Sequence, residues 1–432
     1  MMKTLKSSLL RESYWQTTHK SGLQVYVFPK KLTTTFAAIA AKFGALDRTF
    51  RTEDDKDFIT VPAGTAHYLE HKLFDNPEGI DPFVVFSELG ADLNAYTGYL
   101  RTCYHFSTPE PFAPALEELF RLVLNPYFTE RSVQKERGII AEEIRSGLDS
   151  PSDRCLQAVF EGLYHVCPVR EEIAGSLESI AEISADLLYQ CYRVFYQPSN
   201  LVLCVCGDVT PDEVMEVVDR MLPEAVPAKK ILRAPFSEPE TVKESRKTAR
   251  MPVAKPMFYL ATKDVVLPAD PEARLRRDAV ISILSEALFS KSTAFYSELF
   301  EERLLTPSYS CGYSGTARFA LHSICGESPD PEEFLRRLTG YLEKVTREGI
   351  DPVDLERARR CLIADEIRSF DSTEEIGNSL LSYSLEDVGL FSYLPLLESV
   401  TLAECQALIP QFFLPERICL SVILPSEEEE KT

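Results

Sequence analysis

The chain has 432 residues, 45% of them hydrophobic, and a formal net charge of −21. That length exceeds one ordinary core, so two domains of roughly 200 residues each are expected, both globular. The negative charge argues against nucleic acid, whose phosphates it would repel; it suits either plain solubility or the attraction of basic peptides.

The opening residues, "MMKTLKSSLLRESYW", hold no apolar run long enough for a signal segment. No later stretch approaches the roughly 20 apolar residues of a membrane span. The expectation is a cytoplasmic protein with neither membrane nor nucleic-acid partner. Eleven scattered cysteines without a C-x-x-C read as reduced thiols. Cys204 and Cys206 are expected to pack as small apolar residues in a strand. The strand-like runs "TTFAAIAAKFGA", "LVLCVCGDV", "MFYLATK" and "ICLSVIL" mix with helical patterns such as "PALEELFRLVLN" and "PEEFLRRLTGYLEKV". Strands grouped with helices, without regular alternation, predict an α+β fold: an antiparallel-type sheet with helices packed on it.

Residues 64–79, "GTAHYLEHKLFDNPEG", hold two of the six histidines around a glutamate. A solvated helix face collects such residues without chemistry, but their spacing also suits a metal. Thr65 is a fair N-cap and Asp75-Asn76-Pro77 a stop, so a short helix is predicted over 66–74. His67, Glu70 and His71 then share one face, and Ala66, Leu69 and Leu73 form another that can be buried. Two imidazoles one turn apart can hold one ion, with zinc the default for nitrogen ligands plus a carboxylate. Glu70 on that face can take the proton from water as general base. The third ligand is sought in "SVQKERGIIAEEIRSG", where Glu136 and Glu143 lie seven residues apart on one helical face and Glu142 is a rival. Glu143 is preferred as ligand, and Glu136 as the partner that orients a ligating histidine.

The chain also repeats itself. "IAEEIRSGLDS" at 140–150 returns as "IADEIRSFDS" at 363–372, and "FYQPSNLVLCVCGDV" from Phe195 is echoed by "FFLPERICLSVILPS" from Phe412. In the second copy Glu366 matches Glu143, Arg359 stands where Glu136 does, and "VISILSEALFSKSTAFY" has no histidine. The scaffold was kept without the ligands, which argues that the histidines are not there for packing. Residues 224–256, rich in Pro, Lys and Arg, read as a linker. The expected domains are 1–223 with the zinc site and 257–432 without it. The acidic end, "SEEEEKT", reads as a solvated tail.

H-x-x-E-H, the E-x6-E pair about seventy residues on, and a duplicated α+β domain together resemble the insulinase or pitrilysin zinc metallopeptidases, the inverzincins, in the half-size form of mitochondrial processing peptidase and bacterial relatives. The likeness covers nearly the whole chain: "GTAHYLEHKLFD", Asn94-Ala95-Tyr96-Thr97, "QKERGIIAEEI" and "YQPSNLVL" each echo a family motif. "HKLFD" and "NPYFTERSVQKERG" resemble a cytoplasmic branch in Gram-positive bacteria. The resemblance implies a clamshell of paired chains that encloses unfolded peptides. It also implies an edge strand in "GADLNAYTGYLRTCYHFS" that pairs with substrate backbone, with Asn94 and Ala95 in contact. One departure stands out. Many relatives carry an Arg and, seven residues on, a Tyr that reach the partner's site; here, in "YSELFEERLLTPSYSCGY", Leu304 takes the Arg position, Arg303 is one place off and Tyr309 fits only with a gap. Arg303 reads as a surface ion-pair residue.

The function expected is a zinc endopeptidase, one zinc per chain, acting on short unstructured or leader-type peptides, basic ones among them. The degraded Arg-Tyr segment points to a heterodimer with a related zinc-less chain, a homodimer being the alternative. A non-catalytic peptide-binding or scaffold subunit is the competing reading.

Overall fold

The structure is a computed structural model that describes residues 3–426, so the acidic tail lies outside the described residues. Two compact units are present: Met1–Ile144 with Glu172–Pro235 and Ile367–Phe391, and Arg145–Glu171 with Phe236–Glu366 and Ser392–Thr432. Both mix helices and sheet, the α+β class expected.

The first unit is built on a seven-stranded sheet in the order Lys3–Ser7, Glu12–Thr18, Gln24–Pro29, Leu201–Gly207, Thr35–Ala41, Thr102–Thr108, Asp92–Thr97. All pairs are antiparallel except Gln24–Pro29 with Leu201–Gly207. The second unit's five strands run Arg246–Met251, Ile418–Pro425, Met257–Lys263, Ala320–Glu327, Ser310–Gly315, and again only the first pair is parallel. This order and direction match the last five strands of the first sheet, so the sequence repeat is a repeat of topology. The two echoed segments even enter their strands alike, through single 3-10 turns at Pro198–Asn200 and Pro415–Arg417.

The central strands explain how the units are assembled. Thr35–Ala41 and Leu201–Gly207 are buried along their whole length, so both faces of the sheet need cover. One face, with Ala37, Ile39, Leu203 and Val205, packs on helices of the same repeat. On the other, Phe36, Ala38, Ala40, Cys204 and Cys206 pack on Ile376, Leu380 and Leu381 of the helix Thr373–Leu385. There a Cβ on Gly377 would stand 2.2 Å from the Phe36 ring, so glycine is what permits the approach. Reciprocally, the helix Pro151–Leu163 lies on the second sheet, where Cys155 Sγ meets Ser421 and a Cβ on Gly162 would stand 2.4 Å from Cys419 Sγ.

The boundaries 1–223 and 257–432 therefore need correction. Each repeat lends a helix to the other's sheet, because its own helices cover only one of two apolar faces. Nor is 224–256 a bare linker: Ile231–Arg233 pairs with Thr49–Thr52, and Arg246–Met251 forms the edge of the second sheet. All eleven cysteines are free, Cys204 and Cys206 fully buried in their strand. Among the described residues no helix is long and apolar enough to cross a membrane.

Candidate metal centre

The H-x-x-E-H segment forms the helix Thr65–Lys72. The N-cap position belongs to Gly64, at φ 87, rather than to Thr65; a side chain at Gly64 would press on the Ala174 carbonyl, 2.4 Å from its Cβ. Thr65 instead donates its hydroxyl back to Pro62 O at 2.7 Å. Ala66, Leu69 and Leu73 are buried, as their spacing requires. Tyr68, also buried, donates its hydroxyl to Val133 O and so ties this helix to the helix Glu130–Asp149.

That second helix carries Glu136 and Glu143. Glu143 reaches both histidines: its two carboxylate oxygens lie 3.4 Å from His67 Nε2 and 3.5 Å from His71 Nε2. One donor atom from each of His67, His71 and Glu143 lies within 4.8 Å of the others. Ligand atoms at roughly 2.0–2.1 Å around a tetrahedral zinc stand about 3.3–3.4 Å apart, so both the donor types and their spacing suit such an ion. Glu136 Oε1 sits 3.0 Å from His71 Nδ1, on the far side of the ring. The matching His67 Nδ1 is buried with no hydrogen-bond partner among the described residues. Glu142 is exposed and does not join the cluster.

The electrostatics follow from this packing. Burial disfavours a charged His71, but hydrogen bonds to Glu136 and Glu143 and the charge of Glu70 outweigh it and push its pKa up to about 9. Hydrogen bonds to the two histidines hold Glu143 far below the usual carboxylate range. Burial raises Glu70, only 8% exposed, against the opposing pull of a hydrogen bond from Thr97 and the two histidines. That bond, Thr97 Oγ1 to Glu70 Oε2 at 2.6 Å, is a contact the sequence reading missed. Thr97 stood in the Asn94-Ala95-Tyr96-Thr97 motif, but only the hairpin brings it to the helix.

Asn94 and Ala95 lie on Asp92–Thr97, the edge strand of the first sheet. Asn94 is exposed and accepts from the Ala95 amide at 2.8 Å. In the second unit Arg303 is exposed at φ 62 and has no ion pair among the described residues, against the surface ion pair expected. Tyr309 is 1% exposed and packs against Tyr296 and Phe334. At the repeat positions of the two glutamates, Arg359 donates to Val400 O at 2.6 Å and burial pushes Glu366 up to about 7.

The chain is similar to known proteins along nearly its whole length. Residues 60–176 match the family "Insulinase (Peptidase family M16)", and residues 182–362 match the "Peptidase M16 inactive domain". An uncharacterized zinc protease of Bacillus subtilis, YmfH, is 34% identical over 98% of this chain and all of its own length. An uncharacterized zinc protease of Streptomyces coelicolor is 26% identical over 96% of this chain and 90% of its own. The crystal structure of an M16-like peptidase from Alicyclobacillus acidocaldarius superposes with a TM-score of 0.91 at 31% identity, covering 99% of this chain and 98% of the other. The segment that carries His67 and His71 matches the insulinase family and the later segment matches the inactive domain, on one chain that is collinear with whole relatives; the protein belongs to the insulinase family of peptidases, M16, in its half-size bacterial form.

Proposed function

We propose that the protein is a zinc-dependent endopeptidase that cleaves short, unstructured or leader-type peptides inside a chamber closed by a second chain. The observation that carries this reading is the convergence of His67, His71 and Glu143 beside Glu70. His67, His71 and Glu143 would hold one zinc. When bound, the zinc supplies a positive charge that acidifies water and polarises the scissile carbonyl. Glu70, held in place by Thr97, accepts the proton from the attacking water and can return it to the leaving amine. Glu136 fixes the ring of His71 through its Nδ1–H. The edge strand Asp92–Thr97 offers unpaired backbone groups to an extended peptide, which places Asn94 and Ala95 in contact with substrate. The acidic composition favours basic peptides.

The second chain is proposed to be a related, zinc-less subunit that supplies the substrate-positioning Arg and Tyr; the burial of Tyr309 in this chain supports that assignment. Eleven free thiols support a reducing, cytoplasmic setting. Metal analysis of Glu143→Gln and Glu142→Gln tests the ligand set. Loss of zinc is expected in the first and retention in the second, and the reverse pattern overturns the assignment. Zinc-free wild-type protein that still binds peptide would favour the non-catalytic subunit instead.

A further inference from the structure

We infer that Thr97 is a positioning residue for proton transfer, holding the Glu70 carboxylate from the same edge strand that receives the peptide. The inference rests on the reading of Glu70 as base. Among the described residues, Thr97 supplies the side-chain hydrogen bond to Glu70, at 2.6 Å. An ionised carboxylate accepts only, so the Thr97 hydroxyl is the donor. The neighbouring hydroxyl is the weaker acceptor. Thr102, opposite Thr97 across the hairpin, lies 3.3 Å away and gives its own hydrogen to Phe43 O at 2.9 Å. Thr102 Oγ1 can therefore only accept from Thr97, and the shorter bond at 2.6 Å to a charged carboxylate directs the Thr97 hydrogen to Glu70 instead.

The strand end that carries Thr97 is itself fixed. Ala45 N donates to Gly98 O and Leu46 N to Tyr99 O, each at 3.0 Å, so the segment after Phe43 clasps the hairpin turn. Gly44 permits the approach: a Cβ there would stand 2.5 Å from Tyr99 C and O and 2.6 Å from Arg101 N. The base is therefore oriented by a hydroxyl whose backbone is anchored on its inner side, while its strand's outer edge is open. A peptide added to that edge and the proton acceptor are referenced to one element, which sets the register between the scissile bond and Glu70.

Valine at position 97 keeps the β-branched shape and removes the donor; serine keeps the donor. The test uses the chain with its co-purifying partner, loaded with zinc and assayed on a fluorogenic peptide. Thr97→Val is expected to lower kcat about ten- to a hundredfold, with KM within about twofold and zinc content unchanged, and Thr97→Ser to restore most of the rate. A wild-type kcat in Thr97→Val, or a serine variant as slow as the valine one, overturns the inference. Crystal structures of both variants give a readout independent of turnover: the Glu70 carboxylate should leave its position in Thr97→Val and keep it in Thr97→Ser. An unmoved carboxylate overturns the inference whatever the activity. A zinc-loaded wild type that cleaves no peptide, yet shows the displaced carboxylate in Thr97→Val, overturns the peptidase reading alone.

Discussion

Glu136 Oε1 lies 3.0 Å from His71 Nδ1, so a carboxylate on one helix fixes the ring of a histidine on another, while the equivalent nitrogen of His67 has no such partner among the described residues. The two histidine rings are held unequally. Glu136→Gln keeps a hydrogen-bonding group but loses the charge, and zinc affinity should fall about 10- to 100-fold without loss of the site. Competition titration with a chromophoric chelator measures this. Unchanged affinity would make Glu136 irrelevant to the metal.

Zinc affinity should depend steeply on pH. In the metal-free site His71 titrates at about 9, so below that pH it is protonated and binding must release the proton. Affinity should rise about tenfold per pH unit up to about pH 9 and flatten above it. A flat profile between pH 6.5 and 9 contradicts the paired geometry of His71 with Glu136 and Glu143.

The exchanged helices make a stability prediction. A fragment ending at residue 235 lacks Thr373–Leu385 and leaves Phe36, Ala38, Ala40, Cys204 and Cys206 uncovered on one face of the sheet. It should aggregate or melt without a cooperative transition by differential scanning calorimetry. In the full chain, Gly377→Val drives a side chain into the Phe36 ring and should cost about 1–3 kcal/mol. A stable, cooperatively folding fragment would show that the borrowed helix is dispensable.

Much of this was legible in the sequence. His67, Glu70 and His71 announce themselves because helical spacing alone places them on one face, and Glu136 and Glu143 share a face for the same reason. The duplication is legible because the echoed segments recur in the same chain order in each copy. What escaped depends on contacts distant in sequence. The Thr97–Glu70 bond needs a hairpin folded against a helix 27 residues away. The exchange of helices between repeats needs both sheets to exist before either bare face can be seen. Gly64 displaced Thr65 as N-cap because the Ala174 carbonyl, remote in the chain, leaves no room for a side chain. Tyr309 is drawn into the second unit's core by Tyr296 and Phe334, which no local pattern around it reveals.

The burial of Tyr309 and the exposed, left-handed Arg303 bear on assembly. The isolated chain is expected to be weakly active or inactive on peptides, and a related zinc-less chain from the same cell should restore turnover without changing zinc content. Native mass spectrometry of the co-purified protein should show two different subunits. A fully active homodimer contradicts the proposal.

The most direct test of the account is peptide turnover by Glu70→Gln in the zinc-loaded, partner-bound protein. Glu70 sits on the helix of His67 and His71 without being among the three clustered donors, so the substitution removes the proposed base and leaves the donors. The expected result is one zinc per chain, peptide affinity close to wild type, and kcat lowered by about 10² to 10⁴-fold. Full peptidase activity in that variant would contradict the account.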